Sequence, residues 1–389
     1  MKIKAHFGEL LFAIFILSIS VLGAILNFEI LEESWERFTE ETVNFEEWID
    51  EVKKAYVSDV AFKEAFIDLN GLFARLTGRT VYNDVATLNN GMLTYGEIPY
   101  LDMKPMANGI TDFNTFLKAN NVSFLYLQAP LKEDLAGALL PYGVELCGNQ
   151  NADELLALLK QNAVDTVDLR QILSATPELV EQYFYRTDHH WNTHGAFRAF
   201  GETLAYLQAA FPDKTFDATL ADSSNWNQTV YEDWFLGSRG KRVGVLFGGV
   251  DDLVIYTPKI ETDMSFEVPK HHSYYSGSFE DAAIRSSYLD APDYFNENAY
   301  YAYIGGDYPL AHHINKFSKN DLKVLLIKDS FSIPFQAFLS TAVRELDVID
   351  PRYYTDGTVA EYVASSKPDV VIMMVNPSMF AHSAYRELV

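Results

Sequence analysis

The order of elements at the carboxyl end constrains the fold most. Within Lys323–Lys328 lies the apolar run Val324-Leu325-Leu326-Ile327, and a helical stretch over Pro334–Glu345 follows it. A short strand at Leu346–Ile349, a helix at Thr358–Ser366 and a buried-type strand at Asp369–Val375 complete a β-α-β-α-β order. Strands that are apolar on successive positions are covered on both faces, and helices between consecutive strands make the strands parallel. Upstream, Val122–Ala129 is a β-rich run stopped by Pro130, and Val164–Leu169 is a second short one. The expected class is therefore α/β, with a mainly parallel sheet covered by helices.

The chain can fill such a fold. Of its 389 residues, 48% are hydrophobic and 14% aromatic, which excludes a mostly disordered chain. At about 150 residues per domain the length fits two or three domains, or one elaborated α/β domain. Thirty basic against 54 acidic side chains give a formal charge of −24, a field that repels phosphate backbones and speaks against nucleic acid as a partner. Cys147 is the single cysteine, so no intrachain disulfide and no cysteine cluster for zinc can form.

The amino terminus points to export. Leu10–Phe28 carries no charge and is about as long as a minimal membrane span. Lys2 and Lys4 precede the run, and Glu29, Glu32 and Glu33 follow it. The positive-inside bias then leaves everything after Phe28 outside. An uncleaved signal anchor and a cleaved signal peptide both fit; the cleavage site offered by Gly23 and Ala24 is weak, so the anchor is the preferred expectation. From Glu29 to Arg75 the pattern is helical and acidic, with Trp35, Phe38, Val43, Phe45, Trp48 and Ile49 recurring among glutamates, as in a solvated helix pair with one buried face. Between about residues 216 and 309 helical periodicity fades and tyrosine is dense, from Tyr256 to Tyr308. Short strands and loops are expected there, with aromatics suited either to sugar stacking or to packing.

Two segments carry chemistry. The first is Arg186-Thr187-Asp188-His189-His190-Trp191-Asn192-Thr193-His194-Gly195-Ala196, leading into a helix that Asn192 or Thr193 can cap. If its entry is extended, Asp188 and His190 project to one side and His189 points away. A carboxylate beside an imidazole fixes its tautomer and stabilises the imidazolium formed when it takes a proton. The second segment is Ile327-Lys328-Asp329-Ser330-Phe331-Ser332, where a strand ends and a helix is about to start. A hydroxyl there lies at the carboxyl edge of a parallel sheet, beside free N–H groups that suit an oxyanion. The candidate constellation is Ser330–His190–Asp188. Ser330 as a simple helix cap, and a metal held by Asp188, His189, His190 and His194, are the competing readings. Adjacent histidines on an extended chain point apart, which disfavours the metal. Asp329 fits a turn former, and Trp191 fits packing better than ligand contact.

Asp188-His189-His190-Trp191 resembles the signature of the DHHW proteins, relatives of the alginate O-acetylation proteins AlgJ and AlgX within the SGNH hydrolase-like acyltransferases. Thr187 through Ala196 is similar to that group's Asp-x-His-Trp motif and helix start, and Lys328-Asp329-Ser330-Phe331 to its downstream serine segment. Gln128-Ala129-Pro130-Leu131-Lys132, Phe235 through Arg242, Gly305-Gly306-Asp307 and Asp350-Pro351-Arg352-Tyr353 resemble further segments, so the likeness runs from about Val122 to the end. The usual Gly-rich segment ahead of the catalytic domain is reduced to Asn90-Gly91-Met92-Leu93.

The resemblance implies an SGNH-hydrolase-like three-layer sandwich after an N-terminal transmembrane helix. The expected division is 1–28 anchor, 29–100 acidic helical stalk or cap, and 101–389 catalytic domain with a Tyr-rich insertion at about 216–309. It assigns the acid to Asp188, the base to His190 and the nucleophile to Ser330. The Ser330 N–H and Gly306 become candidate oxyanion donors, and Gln128, Arg239 and Trp191 candidate substrate contacts. No cofactor or metal is implied. The implied activity is extracytoplasmic O-acetyl transfer to an exported polysaccharide, with a multispanning membrane O-acyltransferase as acetyl donor. The alternatives are an acetylesterase using the same triad and a non-catalytic polysaccharide-binding scaffold.

Overall fold

The structure, a computed structural model, describes residues 7–26, 28–39, 44–58 and 62–389. Lys2, Lys4 and Val43 of the sequence argument lie outside the described residues. The chain divides into two compact units, Met1–Asn70 and Gly71–Val389.

The first unit is helical: α1 (Phe7–Leu26), α2 (Phe28–Thr39), α3 (Phe45–Ser58) and most of α4 (Lys63–Leu76). Trp48 of α3 meets Phe38 and Trp35 of α2 with ring centroids 5.1 and 5.7 Å apart, which staples the two helices. Apart from Asn27, which lies outside the described residues, the uncharged run of the sequence argument falls in α1 and the first residue of α2. Among the described residues no helix is long and apolar enough to cross a membrane, so the expected transmembrane helix is not found and the anchor rests on the sequence argument alone.

The second unit opens with a small antiparallel sheet of β1 (Val81–Tyr82), β2 (Val85–Thr87) and β3 (Leu93–Tyr95). There follow α5 (Lys104–Ala119), β4 (Ser123–Gln128), α6 (Gly148–Gln161), β5 (Thr166–Asp168), the short α7 (Arg170–Leu173) and α8 (Pro177–Tyr183), and the long α9 (Thr193–Ala210). The antiparallel pair β6 (Trp226–Phe235) and β7 (Asp251–Pro258) encloses α10 (Ser238–Val243) and α11 (Val245–Gly248). Next come β8 (Met264–Val268), β9 (Ser273–Gly277), α12 (Phe279–Ala283) and β10 (Leu310–Asn315). The tail is β11 (Lys323–Lys328), α13 (Ser332–Ala342), β12 (Glu345–Ile349), α14 (Val359–Ser366) and β13 (Val370–Val375), the order read from the sequence.

The main sheet has eight strands in the order β5-β4-β13-β11-β12-β10-β8-β9. The first five are parallel to one another and the last three antiparallel, so the sheet is mixed but mainly parallel. The two-residue period of a strand sorts its side chains into two cores. Val324, Leu326, Ile372 and Met374 face Phe197 and Phe200 of α9 and Phe335 and Phe338 of α13. Leu325, Ile327, Val371 and Met373 face Ile110 and Phe113 of α5, Leu155 and Leu159 of α6 and Val363 of α14. These are the three layers. The Tyr-rich stretch is more than a decoration, because it supplies β8 and β9 to the main sheet.

Helix α13 begins at Ser332, two residues before the expected Pro334. A proline is tolerated in a first turn, where its missing N–H has no partner to lose. The earlier start leaves only Asp329, Ser330 and Phe331 between the end of β11 and the helix.

Candidate active site

Both chemistry-bearing segments are bent by an aspartate that caps its own backbone. Asp329 Oδ1 accepts from the Phe331 N–H at 2.9 Å, and its Oδ2 accepts from the Asn376 N–H at the end of β13 at 2.6 Å. Asp188 Oδ1 likewise accepts from the His190 N–H at 2.9 Å. Such turns, closed by a side chain onto the residue two positions on, replace a backbone turn bond. The first holds Ser330, half-buried, at the carboxyl edge of the sheet. The second swings the imidazole of His190 over its own carboxylate.

The turns bring together residues 140 positions apart. His190 Nε2 lies 2.8 Å from Ser330 Oγ, and His190 Nδ1 lies 2.5 Å from Asp188 Oδ1. The Ser330 hydroxyl is thus used on His190, while α13 is preceded by Phe331 with no side-chain cap; the helix-cap reading of Ser330 is not what the structure shows. Burial alone would raise the Asp188 carboxyl, but the two neighbouring imidazoles and the His190 and Ser238 donors hold it well below the usual carboxylate range. The Ser238 N–H donates to Asp188 Oδ2 at 2.5 Å, completing the carboxylate's shell. An ionised Asp188 keeps the Nδ1–H tautomer of His190, which leaves Nε2 free to accept a proton.

His189 departs from expectation. The bend places its ring 3.8 Å from that of His190, and its Nδ1 lies 3.3 Å from Asp188 Oδ1. Asp188, His189 and His190 therefore offer ligand atoms within 4.8 Å of one another, and the geometric objection to a metal does not hold. Those atoms are nonetheless committed: Asp188 Oδ1 to His190, and His189 Nδ1 to Ser238 Oγ at 2.7 Å. The donor set suits a hydrogen-bonded relay. Burial and the adjacent His190 push the His189 imidazole well below its ordinary value, keeping it neutral.

Tyr300 and Asp251, which the sequence reading did not single out, build the support together with Trp191 and Lys132. Tyr300 stacks on His190 at 4.2 Å with the planes 13° apart, and its hydroxyl donates to the Phe331 carbonyl at 3.1 Å. Trp191 Nε1 donates to the same carbonyl at 2.8 Å. Asp251, at the start of β7, accepts from the N–H of Arg186 at 2.5 Å and of Thr187 at 2.8 Å, and from the Thr187 hydroxyl at 2.5 Å. Buried Lys132 donates to the carbonyls of Tyr185 at 2.9 Å, Arg186 at 3.0 Å and Asp188. The sequence signal for Tyr300 is only its place in the Tyr-rich stretch; Asp251 offers none.

Three predicted contacts are corrected or refined. Trp191 and Gln128 are fully buried, so neither reaches a substrate. Trp191 packs on Phe331, and the Gln128 amide is spent on the Ala129 and Val375 carbonyls at 2.9 and 3.4 Å. Arg239 is partly exposed, with its guanidinium 4.0 Å over the ring of Tyr95, which itself meets His189 edge-on at 5.6 Å. Gly306 precedes Asp307, which pairs with Lys328 at the end of β11; Arg352 joins both Asp350, at 2.5 Å, and Asp307, at 3.6 Å. Among the described residues neither the Ser330 N–H nor the Gly306 N–H donates to a backbone acceptor.

Residues 101–227 match the family described as SGNH hydrolase-like domain, acetyltransferase AlgX. That stretch contains Asp188 and His190 and ends before Ser330. Bacillus cereus PatB1 has a similar fold, with a TM-score of 0.66 and 19% identity over 78% of this chain and 99% of that one. The same protein with a sulfonyl adduct matches at 0.65 and 19% identity, covering 79% of this chain and 100% of that one. A DHHW family protein from Eubacterium siraeum matches at 0.55 with 18% identity, over 79% of this chain and 95% of that one. No curated protein sequence matches the chain.

Proposed function

We propose that this chain is a serine O-acetyltransferase that works outside the cell membrane on an exported polysaccharide. The observation that carries the reading is the continuous relay from Asp188 through His190 to Ser330, with links of 2.5 and 2.8 Å. The match of residues 101–227 to an acetyltransferase domain supports the acyl group over other chemistries.

His190 Nε2 takes the Ser330 Oγ proton as that oxygen attacks the acetyl carbonyl of a donor. The resulting oxyanion is met by unpaired backbone N–H groups, for which those of Ser330 and Gly306 are available. Collapse of the tetrahedral adduct breaks the bond to the donor oxygen, which leaves with the proton from His190. A sugar hydroxyl then attacks acetyl-Ser330, gives its proton to His190 and takes the acetyl group, and Ser330 Oγ recovers the proton. Acetyl-CoA is cytoplasmic, so the donor is a multispanning O-acyltransferase that presents acetyl on the outer face. The uncharged Leu10–Phe28 run anchors the chain beside it.

The test supplies the full chain with a chromogenic acetyl ester, with and without neutral and uronic oligosaccharides. The reading predicts acetylated oligosaccharide and faster ester cleavage when an acceptor is present, both lost in Ser330→Ala by about 10⁴–10⁶-fold. Equal acetate release with and without acceptor makes the chain an esterase. Glycan binding without Ser330-dependent turnover makes it a scaffold.

A further inference from the structure

We propose that Lys132 and Asp251 are positioning residues that grip the Tyr185–Asp188 segment from opposite sides and so set Asp188 against His190. The inference rests on the triad reading above.

The segment is gripped by opposite charges at opposite ends of its peptide dipoles. Lys132 Nζ takes carbonyls, those of Tyr185, Arg186 and Asp188. Asp251 takes N–H groups, those of Arg186 and Thr187, together with the Thr187 hydroxyl. No direct bond between the two side chains is needed, because the segment lies between them. The Thr187 carbonyl, which Lys132 leaves, accepts from the N–H groups of Arg239 at 3.1 Å and Gly240 at 2.8 Å. Asp188 thus has a fixed backbone on which its carboxylate turns back to His190. A lysine that is 1% exposed is costly unless its charge does something, and here all three of its N–H groups have a carbonyl.

The valence of the amine makes the grip depend on protonation. An ammonium has three N–H groups for three carbonyls; a neutral amine has two. Burial pushes the Lys132 pKa down to about 7, with Asp251 and Asp188 pulling it up and Arg239 and Arg186 pushing it down. As pH rises through about 7 one carbonyl loses its donor, and Asp188 loses registration with His190. The folded value lies below the ordinary 10.5, so the unfolded chain binds the extra proton between them and this group's effect on stability is favourable as pH rises. Alkaline loss of activity by this route is therefore not unfolding.

The experiment measures kcat and KM for ester cleavage by the full chain from about pH 6 to about pH 9, with melting followed over the same range. Wild type is compared with Lys132→Met and Asp251→Asn. Wild-type kcat is expected to fall on an alkaline limb centred near 7 while the protein stays folded. Lys132→Met should lower kcat on the order of 10²-fold, leave KM within about twofold, and lack that limb. Asp251→Asn should lower kcat and shift the limb to lower pH, because its charge no longer holds the Lys132 pKa up. A Lys132→Met enzyme with wild-type kcat overturns the inference. If that variant does not fold, a wild-type kcat that is flat across the range overturns it, and an alkaline limb in the folded protein supports it. Acetylation of Ser330 with no effect of Lys132 sinks this inference alone, whereas a wild type that never acetylates Ser330 sinks the triad reading.

Discussion

Gly237 shows how tightly the candidate relay is packed. A Cβ there would lie 2.2 Å from Asp188 Cβ and 2.5 Å from the Asp188 backbone nitrogen. Its φ of −71° is ordinary, so the requirement for glycine is one of space, not of backbone conformation. The close approach lets the next residue, Ser238, place its N–H on Asp188 Oδ2. Gly237→Ala should therefore push the turn away from the carboxylate, lowering ester turnover on the order of 10²-fold and stability by about 1–3 kcal/mol. Gly201, inside α9, has 3.8 Å of clearance to the nearest neighbour, and Gly201→Ala should leave turnover unchanged and stabilise by up to about 1 kcal/mol. Kinetics and urea unfolding on the two variants separate the cases; equal behaviour would deny Gly237 its part in the site. At this scale the sequence identifies the relay but misplaces His189. The alternation rule for extended chains fails because the Asp188 side chain bends its own segment, a contact that pattern alone does not encode.

The elements are legible where each carries its own signal. The runs now seen as β4, β11 and β13 are apolar on successive positions, β12 is broken only by Asp347, and two helical stretches separate the last three, so the parallel half of the sheet follows from local pattern. Asn192 caps α9 as its residue type suggests, accepting from the Gly195 N–H at 3.0 Å. The antiparallel half is different. β9 has exposed Tyr274 and Tyr275 and ends the sheet beside β8, and β10 carries two adjacent histidines, so neither advertises itself as a strand of the main sheet. The segments around Asp251 and Tyr300 reach the site only through tertiary packing. Their parts in it depend on how β7 packs against α9 and how the loop before β10 brings Tyr300 to His190 and Phe331, and no local pattern carries that. Gln128 misleads for the complementary reason: a strand-end glutamine looks polar and available, but its end of β4 lies between β5 and β13.

At the scale of the whole molecule, a chain of charge −24 buries several ionisable groups, and those whose pKa the fold shifts contribute to its response to acid. His313 in β10 lies in the core 4.7 Å from Phe266, and its Nε2 has no partner among the described residues. Burial, helped by Arg285 and His312, pushes its pKa down to about 3 from the ordinary 6.5. Below 6.5 the unfolded chain gains a proton that the native fold refuses, so stability present above 6.5 is lost as pH falls toward 3. The loss approaches about 1.4 kcal/mol per pH unit for a single such group. His313→Leu should flatten this part of the pH dependence in urea unfolding; parallel curves for variant and wild type would contradict it.

The same molecule must also do chemistry at one serine, and that is the claim on which the account stands. The most direct measurement is the intact mass of the full chain after brief exposure to the chromogenic acetyl ester, followed by peptide mapping. The account predicts a single acetyl group on Ser330, removed on adding a saccharide acceptor and absent from Ser330→Ala and from His190→Ala. Acetylation elsewhere, or to the same extent in Ser330→Ala, would contradict it.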